Sequence, residues 1–436
     1  MYKDELLIKF ENRSAVVGLI GLGYVGLPLA VEFGRAGFQV IGVDVDQRKV
    51  DALNAGRSYI PDVKSEDVET LHSAGRLLAT IDYAELKTAD AVSICVPTPL
   101  RKTRDPDMSY VISAAEKVAE IAHPGFLIVL ESTTYPGTTE EILQPPLEAK
   151  GFTIGKDVFL AFSPERIDPG NTHYGVRNTP KVVGGATAAC TEAAIALYAT
   201  AIERVVPVSS MRAAEMVKLL ENTFRAVNIG LVNEMALMCD KLDVDVWEVI
   251  EAAGTKPYGF MKFTPGPGIG GHCIPIDPLY LSWKLKALNY TARFIEVADQ
   301  VNMSMPHHVV DLIQNALNED GKALKGARIL ILGVSYKKDI DDLRESPALD
   351  VMAALVVNKA EVSYHDPYVP AVGLNGVTLK SIPLLPKALA LADCAVIITD
   401  HSTFDWEMIS QHARLIVDTR NALRNVQNGR SRVVRL

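Results

Sequence analysis

Several features that mark secreted, membrane-spanning or nucleic-acid-binding proteins are scarce or missing in this sequence. Its 436 residues include five cysteines, an odd number with no C-x-x-C pair, which argues against a disulfide framework and a zinc site. No stretch of about 18 apolar residues is present to span a membrane, and the acidic N-terminal segment does not resemble a secretory signal. The formal net charge of -9 argues against a nucleic-acid surface. We therefore expect a cytoplasmic protein that binds no metal, membrane or nucleic acid.

The length exceeds what one hydrophobic core usually serves, so two or three domains are expected. Short apolar runs at the spacing of α/β units occupy the first and last parts of the chain, and a helical pattern lies between them. The expected fold class is α/β, with two Rossmann-like doubly wound domains joined by a helical middle segment with a long central helix. The predicted domains are 1–205, 206–310 and 311–436.

The clearest local motif is a glycine turn at residues 21–26, which fits G-x-G-x-x-G between an apolar strand and a helical pattern. Gly21 allows the tight turn, Gly23 lets the backbone approach a pyrophosphate, and Gly26 lets helix and strand pack closely. Asp44 ends the next strand, where an acid accepts hydrogen bonds from ribose hydroxyls and repels a 2′-phosphate. The motif predicts an NAD site; the alternative is a glycine turn without a ligand.

Three polar or proline-rich loops follow later apolar strands, at residues 97–99, 131–134 and 163–166. Ligands of doubly wound sheets bind beyond the carboxyl ends of the strands. We therefore expect these loops to form walls of one site.

A long helical pattern begins after Ser209 or Ser210, either of which can cap the helix. Its apolar residues recur at helical spacing: Met216, Val217, Leu220, Phe224, Val227 and Leu231. This stripe fits either a core face or an interface. Lys218 and Asn222 stand four residues apart and therefore share a face, which fits a solvated surface as well as a site.

Cys273 lies in the stretch GPGIGGHCIPID, at residues 266–277. The glycines give the backbone freedom and leave room beside the sulfur. The alternative is a small thiol that packs as a hydrophobic residue. His272 is interpreted as a supporting neighbour of the loop without a chemical role.

The order of these features is the most specific signal, together with a second α/β region that opens with residues 335–347. In this order the chain resembles the UDP-glucose/GDP-mannose dehydrogenase family. The resemblance implies an NAD-binding domain, a central dimerisation segment with the cysteine loop, and a C-terminal sugar-nucleotide-binding domain. It also implies that a primary alcohol of a UDP-sugar is oxidised twice to a carboxylate with two NAD+, by a homodimer or larger homo-oligomer.

The resemblance assigns Cys273 as the nucleophile that makes the intermediate aldehyde tetrahedral and then carries a thioester. Lys218 and Asn222 would line the reacting carbon and stabilise the oxyanion, and Lys218 would also favour the thiolate. Gly270 and Gly271 would give the sugar carbon access to the sulfur.

Three further residues match polar positions of the family. Asp277 would orient a water molecule or Lys218, and Glu165 would act as general base for thioester hydrolysis. Thr133 would hold a water or hydroxyl near the same carbon.

The resemblance also implies two sets of ligand contacts. The expected cofactor contacts are Gly21, Gly23, Tyr24, Val25, Gly26, Asp44, Thr98, Thr133 and Arg344. The expected substrate contacts are Glu165, Arg166, Lys218, Asn222, Phe260, Gly270 and Lys337. Lys262 is a weaker candidate beside Phe260, and Lys337 and Arg344 also fit plain surface charges.

The sequence departs from the UDP-glucose branch at Pro169, where family members acting on UDP-glucose carry a second glutamate. The form Ser-Pro-Glu-Arg-x-x-Pro-Gly resembles the bacterial branch that oxidises N-acetylated hexosamines. The predicted reaction is therefore oxidation of C6 of UDP-N-acetylglucosamine, for a bacterial surface polysaccharide such as lipopolysaccharide O-antigen. The alternatives are UDP-N-acetylmannosamine, UDP-N-acetylgalactosamine and UDP-glucose.

Two other classes of function remain open. A two-electron β-hydroxyacid dehydrogenase shares the layout and also uses a lysine and an asparagine, but it has no use for Cys273. A non-catalytic NAD-responsive binding protein could be built on the same scaffold.

Overall fold

The computed structural model describes residues 1–101, 104–168, 171 and 173–436. The chain forms two compact units: residues 1–221 with 283–289, and residues 222–282 with 290–436. We call them the first and the second unit.

The three-domain prediction places its boundaries elsewhere. The boundary between 205 and 206 lies within the strand Val205–Pro207, and that between 310 and 311 lies within the helix Arg293–Glu319. The three domains therefore stay a prediction, and the compact units divide the chain differently.

An eight-stranded sheet forms the centre of the first unit. Its strands are Val16–Ile20 (β1), Gln39–Val43 (β2), Leu77–Thr80 (β3), Ala91–Ile94 (β4), Phe126–Leu130 (β5), Val158–Phe162 (β6), Lys181–Gly185 (β7) and Val205–Pro207 (β8). The spatial order is β3-β2-β1-β4-β5-β6-β7-β8, with β7 antiparallel to β6. β4, β5 and β6 are buried throughout, as expected when helices cover both faces. This strand order is that of a Rossmann fold, so the predicted fold class is confirmed.

Among the described residues, seven helices that lie wholly within the first unit connect or flank these strands. They are Tyr2–Glu11 (α1), Gly26–Arg35 (α2), Gln47–Asn54 (α3), Ser65–Ser73 (α4), Ser109–Ile121 (α5), Gln144–Ala149 (α6) and Ala188–Tyr198 (α7). A 3₁₀ helix at Tyr83–Thr88 and a π-helical turn at Thr139–Leu143 complete the set. α2 begins at the last glycine of the predicted turn, which places its N-terminus beside the strand edge.

Four helices form the middle of the chain. They are Met211–Leu242 (α8), Val246–Gly254 (α9), Asp277–Lys286 (α10) and Arg293–Glu319 (α11). Ser210 caps α8, because its Oγ accepts a hydrogen bond of 3.2 Å from the N–H of Ala213. The division between the two units falls inside α8, after Glu221.

The apolar stripe of α8 does not pack into the chain's own core. Met216, Leu220, Phe224 and Leu231 are exposed, Leu220 by 63%. Between them, Lys218 and Asn222 are buried. The stripe, which fits core or interface equally well by sequence, is therefore a surface of the single chain.

A five-stranded parallel sheet forms the centre of the second unit. Its strands are Arg328–Leu332 (β9), Glu361–His365 (β10), Cys394–Ile397 (β13), Leu415–Asp418 (β14) and Arg432–Arg435 (β15), in the order β10-β9-β13-β14-β15. Ala371–Leu374 (β11) and Val377–Lys380 (β12) form a hairpin. The helices around the sheet are Pro347–Val357 (α12), Pro386–Leu391 (α13) and Trp406–His412 (α14).

No helix in the described part of the chain is long and apolar enough to cross a membrane. The structure describes all five cysteines, and no two of them form a disulfide. Four are buried, whereas Cys273 is half-buried.

Candidate active site

The glycine turn between β1 and α2 is held by backbone bonds and by an acid. Gly21 has a φ of 91°, in the left-handed region that favours glycine. Its N–H donates to the carbonyl oxygen of Val43 at 2.8 Å, and the N–H of Leu22 donates to Oδ2 of Asp44 at 2.9 Å. The turn and the acid after β2 are therefore fixed together.

The space around the three glycines fits a bound dinucleotide. A Cβ on Gly26 would lie 1.8 Å from the carbonyl oxygen of Gly21, so no larger residue fits there. A Cβ on Gly23 would meet no atom within 4 Å, which leaves this backbone open to approach. A pyrophosphate could thus lie over the N-terminus of α2, where backbone N–H groups and the helix dipole favour an anion.

Two glutamates and a lysine meet at the edge where β5 and β6 end. Glu131 follows β5 directly, and Lys181 begins β7, which starts at this edge because it runs antiparallel to β6. Nζ of Lys181 lies 2.7 Å from Oε2 of Glu131 and 3.5 Å from Oε2 of Glu165. Oε1 of Glu165 accepts hydrogen bonds from the N–H groups of Arg166 and Ile167, at 2.7 and 2.8 Å. The carboxylate of Glu165 is therefore oriented from both sides.

Burial governs the electrostatics of this group. Burial raises the pKa of Glu131, and Lys181 offsets only part of the shift. Burial also acts to lower the pKa of Lys181, but Glu131 and Glu165 together raise it above its ordinary value. Tyr198 donates its hydroxyl to Oε1 of Glu131, and burial holds the pKa of Tyr198 well above the usual range. Lys181 is thus an ammonium ion at neutral pH.

The loop that carries Thr133 is fixed by a buried carboxylate on α8. Oε2 of Glu215 accepts from the N–H of Gly137 at 2.5 Å, and Oε1 accepts from the N–H and the hydroxyl of Thr139 at 3.0 and 2.7 Å. Burial raises the pKa of Glu215. Lys218 lies about one turn further along the same helix and is buried. The first unit therefore links the Thr133 loop firmly to the helix that carries Lys218.

Arg166, a predicted substrate contact, is bound to protein groups. Its guanidinium donates to both carboxylate oxygens of Glu221, at 3.2 and 2.5 Å, and to the carbonyl oxygen of Pro180 at 2.6 Å. The two parallel hydrogen bonds form a bidentate arginine–carboxylate pair, which is a strong and directional ion pair. Its contact with substrate stays a prediction.

In the second unit, Cys273 and Asp277 lie one helical turn apart. The carbonyl oxygen of Cys273 accepts from the N–H of Asp277 at 2.8 Å and from that of Ile276 at 3.1 Å. Oδ2 of Asp277 accepts from the Nδ2 amide of Asn222 at 2.5 Å, and both side chains are buried. The structure thus brings together three of the predicted residues: the cysteine turn, its acid and the asparagine of α8.

The glycines before Cys273 pack closely against a later segment of the chain. A Cβ on Gly270 would lie 2.5 Å from Cβ of Tyr336 and 2.7 Å from the carbonyl oxygen of Glu345. Gly271 has a φ of 95°, and a Cβ there would lie 2.9 Å from the ring of Tyr336. The N–H of Gly271 donates to the carbonyl oxygen of Arg344 at 2.9 Å. Close packing of the loop against residues 336–345 therefore requires these glycines, and the substrate contact of Gly270 stays a prediction.

The remaining predicted residues of the second unit lie nearer its surface. Arg344 forms an ion pair with Asp342, with Nη2 2.5 Å from Oδ2. Lys337 is half-buried, and Phe260 is exposed. Lys262 pairs with Glu251 at 2.5 Å. None of these contacts establishes a ligand role.

The remaining predicted residues of the first unit are expected cofactor contacts. Tyr24, Val25, Thr98 and Thr133 are half-buried in the first unit, and Pro169 lies outside the described residues. In the described ranges, no cluster of three or more His, Cys, Asp or Glu side chains is arranged to hold a metal ion.

The sequence analysis assigns no individual role to three buried charged residues of this region: Glu131, which it places only within the loop 131–134, Lys181 and Glu215. Glu131 carries a usable signal, since an acid directly after five apolar strand residues lies at the ligand edge. Lys181 carries no such signal, because its position depends on the antiparallel pairing of β7 with β6.

Three sequence models match most of the chain. They are described as the NAD binding domain, the central domain and the UDP binding domain of the UDP-glucose/GDP-mannose dehydrogenase family, and they match residues 15–202, 212–304 and 330–425.

Individual relatives match over nearly their full length. An NDP-N-acetyl-D-galactosaminuronic acid dehydrogenase of Ralstonia nicotianae is 37% identical and covers 93% of this chain and 95% of its own. A UDP-N-acetyl-D-mannosamine dehydrogenase of Escherichia coli is 37% identical, over 94% of this chain and 99% of its own. The solved structure of a UDP-D-ManNAc dehydrogenase from Pyrococcus horikoshii is 34% identical with a TM-score of 0.87, and covers 96% of this chain and 99% of its own.

Proposed function

The chain belongs to the UDP-glucose/GDP-mannose dehydrogenase family, and on that premise we propose that it oxidises C6 of a UDP-N-acetylhexosamine to the carboxylate. As a member of this family it is an NAD-dependent nucleotide-sugar dehydrogenase. The observation that best supports the finer proposal is the turn that holds Cys273 beside Asp277, itself bonded to Asn222. A two-electron dehydrogenase has no need of that cysteine.

We assign the cofactor to the glycine turn, with Gly21, Gly23 and Gly26 beneath the pyrophosphate and Asp44 at the ribose. Tyr24, Val25, Thr98, Thr133 and Arg344 are proposed as further contacts. NAD supplies the hydride acceptor for each of the two oxidations.

Cys273 has its role between the two oxidations. Its thiolate adds to the aldehyde carbon and forms a thiohemiacetal, whose oxidation leaves a thioester. We propose that the ammonium of Lys218 and the amide of Asn222 stabilise the oxyanion that forms on this carbon. Asp277 orients the amide of Asn222 through the bond between them.

Hydrolysis of the thioester completes the reaction. We assign Glu165 as the general base that takes a proton from water. The activated water attacks the thioester carbon, and the carboxylate and the thiol of Cys273 are released. Thr133 is assigned to hold that water. Arg166, Phe260, Gly270 and Lys337 are proposed as substrate contacts.

The names of the relatives favour a different hexosamine from the one predicted first. They are N-acetylmannosamine and N-acetylgalactosaminuronic acid dehydrogenases, so UDP-N-acetylmannosamine becomes the first candidate and UDP-N-acetylgalactosamine the second. UDP-N-acetylglucosamine, the main prediction from sequence, has no support among them.

The substrate is tested by NADH release from a panel of UDP-N-acetylmannosamine, UDP-N-acetylgalactosamine, UDP-N-acetylglucosamine, UDP-glucose and GDP-mannose. We expect kcat/KM to be highest for one of the first two. A preference of tenfold or more for UDP-glucose, on the order of 1.4 kcal/mol, would overturn the proposed substrate class.

The role of Cys273 is tested with Cys273→Ser in single turnovers of alcohol and aldehyde substrates. The aldehyde step should lose far more rate than the alcohol step, because serine is a much weaker nucleophile. Equal losses in the two steps would contradict the assignment.

We also propose that the apolar stripe of α8 is covered by a second copy of the chain. Contiguous exposed apolar side chains such as Leu220, Phe224 and Leu231 mark an association surface, and one helix can pair with its own copy about a two-fold axis. Leu220→Glu with Leu231→Glu should yield a monomer by light scattering. A wild-type chain that is itself monomeric at assay concentration would refute this.

A further inference from the structure

The buried ion pair at the edge of the first sheet has no part in the reaction described so far. Lys181 and Glu131 have side chains that are 5% and 0% exposed. Burying an ion pair costs desolvation energy and rarely adds stability over an apolar pair. Its position next to Glu165 therefore calls for a reason other than stability.

We propose that Lys181 and Glu131 together are positioning residues for Glu165, which orient its carboxylate and set the pH range in which it activates water. The inference rests on the proposed function, in which Glu165 is the base for thioester hydrolysis.

The geometry assigns separate tasks to the two oxygens of Glu165. Oε1 is engaged by two backbone N–H groups, at 2.7 and 2.8 Å. Oε2 faces Nζ of Lys181 at 3.5 Å, too long for a strong hydrogen bond but well within Coulomb range. Oε2 is therefore the oxygen that receives the proton from water. The charge of Lys181 acts on this oxygen, but no short hydrogen bond from Lys181 occupies it.

Lys181 is kept at this distance by its bond to Glu131. Nζ lies closer to Glu131 than to Glu165, at 2.7 against 3.5 Å. Glu131 is in turn fixed by the hydroxyl of Tyr198, whose oxygen lies 3.2 Å from Oγ of Ser93 on β4. Glu131 thus draws the ammonium away from Glu165 and weakens its hold on that carboxylate.

The other charged groups around Glu165 largely cancel. Arg166 is paired with Glu221 through two bonds. Cys95, which also interacts with Glu165, stays a neutral thiol because burial raises its pKa well above the usual value. Tyr198 is likewise neutral for the same reason. Among the charged groups that the described residues show around Glu165, Lys181 and Glu131 therefore exert the main electrostatic control.

Two substitutions should move the acid limb of the pH–rate profile in opposite directions. In Glu131→Gln, Lys181 is released toward Glu165, so the limb for aldehyde oxidation should move to lower pH by about one unit. In the double variant Lys181→Met/Glu131→Gln the cation 3.5 Å from Glu165 is gone, so the limb should move to higher pH than in the wild type. The double variant leaves no unpaired buried charge, which protects the fold.

In Lys181→Arg, the acid limb of the pH–rate profile should stay close to its wild-type position, because this substitution keeps the positive charge. A matched control is the exposed pair of Lys3 and Glu192 on the same unit, 2.6 Å apart. Lys3→Met/Glu192→Gln removes the same two charges far in sequence from the reaction and should leave the limb in place.

The experiment measures steady-state NADH formation from the aldehyde substrate between pH 5 and 9 for these variants and for Glu165→Gln, because each new turnover requires hydrolysis of the preceding thioester. Opposite shifts in the two Glu131 variants, with rescue by Lys181→Arg, support the inference. Lower rates with an unmoved limb show a structural role only and overturn it, provided that Glu165→Gln loses most of its aldehyde activity. If Glu165→Gln keeps that activity, the role of Glu165 in the proposed function fails, and this inference fails with it.

Discussion

The two units each begin their sheet with the same local structure, yet only the first carries the glycine pattern of a dinucleotide site. In the first, the N–H of Gly21 donates to Val43 and that of Leu22 to Asp44. In the second, the N–H of Gly333 donates to the carbonyl oxygen of His365 at 2.9 Å.

In both units an aspartate follows the second strand of the sequence, Asp44 after β2 and Asp366 after β10. The N–H of Val334 donates to Oδ2 of Asp366 at 2.7 Å, as Leu22 does to Asp44. Asp366 is then engaged further by Nε2 of His401 at 3.0 Å and by the N–H of Tyr368 at 2.8 Å. Its carboxylate is committed to the interior of its own unit.

The residues after the first glycine make the difference. Two positions after Gly21 stands Gly23, whereas two positions after Gly333 stands Ser335. Ser335 is buried, and its Oγ donates to the carbonyl oxygen of Lys337 at 2.8 Å. The strand, the turn and the acid therefore build the fold in both units, whereas the second glycine of the first turn leaves room for the cofactor.

The largest effect should come from Gly26→Ala, which breaks the turn of the first unit itself. The new methyl group would lie 1.8 Å from the carbonyl oxygen of Gly21, so backbone must move at a cost of about 3 kcal/mol. We expect a lower thermal midpoint and no measurable NAD binding by calorimetry. An unchanged NAD affinity would contradict the role given to this turn.

Gly23→Ser should have a smaller and more selective effect, because it gives the first turn the residue found in the second. The added Cβ meets no protein atom within 4 Å, so the fold should survive. NAD affinity should fall about 30-fold, or roughly 2 kcal/mol, since the side chain would occupy the space assigned to the pyrophosphate. UDP binding serves as the control and should not change; a parallel loss of UDP binding would indicate general damage.

Asp366→Asn should lower stability by about 1 to 2 kcal/mol without weakening NAD binding. Burial acts to raise the pKa of Asp366, but hydrogen bonds from His401, Val334 and Tyr368 outweigh it and hold the pKa below its ordinary value. A carboxyl group whose pKa is lower in the folded than in the unfolded chain stabilises the fold above the unfolded-state pKa, near pH 4. This stabilisation is lost as the pH falls below that pKa. The gap between wild-type and variant thermal midpoints should therefore be full at pH 7 and shrink below about pH 4. A gap independent of pH would contradict this.

Much of the fold follows from the sequence because its signals are local. The apolar runs at 126–130 and 158–162 coincide with β5 and β6, since strands buried on both faces need continuous apolar residues. The long helix α8 and its cap at Ser210 follow in the same way.

The site was less predictable because its decisive contacts are long-range. Lys181 reaches Glu131 only through the antiparallel placement of β7. Gly270 and Gly271 suggested open space by themselves, but Tyr336 lies against them from a distant part of the sequence. Helical spacing likewise could not tell whether the apolar stripe of α8 faces a core or a surface.

The central claim is that one chain performs two oxidations at one carbon with Cys273 as the carrier between them. The most direct test is the number of NADH molecules formed per sugar nucleotide consumed, with the product identified by mass spectrometry. We predict two NADH and a carboxylate, with no aldehyde released. One NADH per substrate, with an aldehyde or ketone as the final product, would contradict the account.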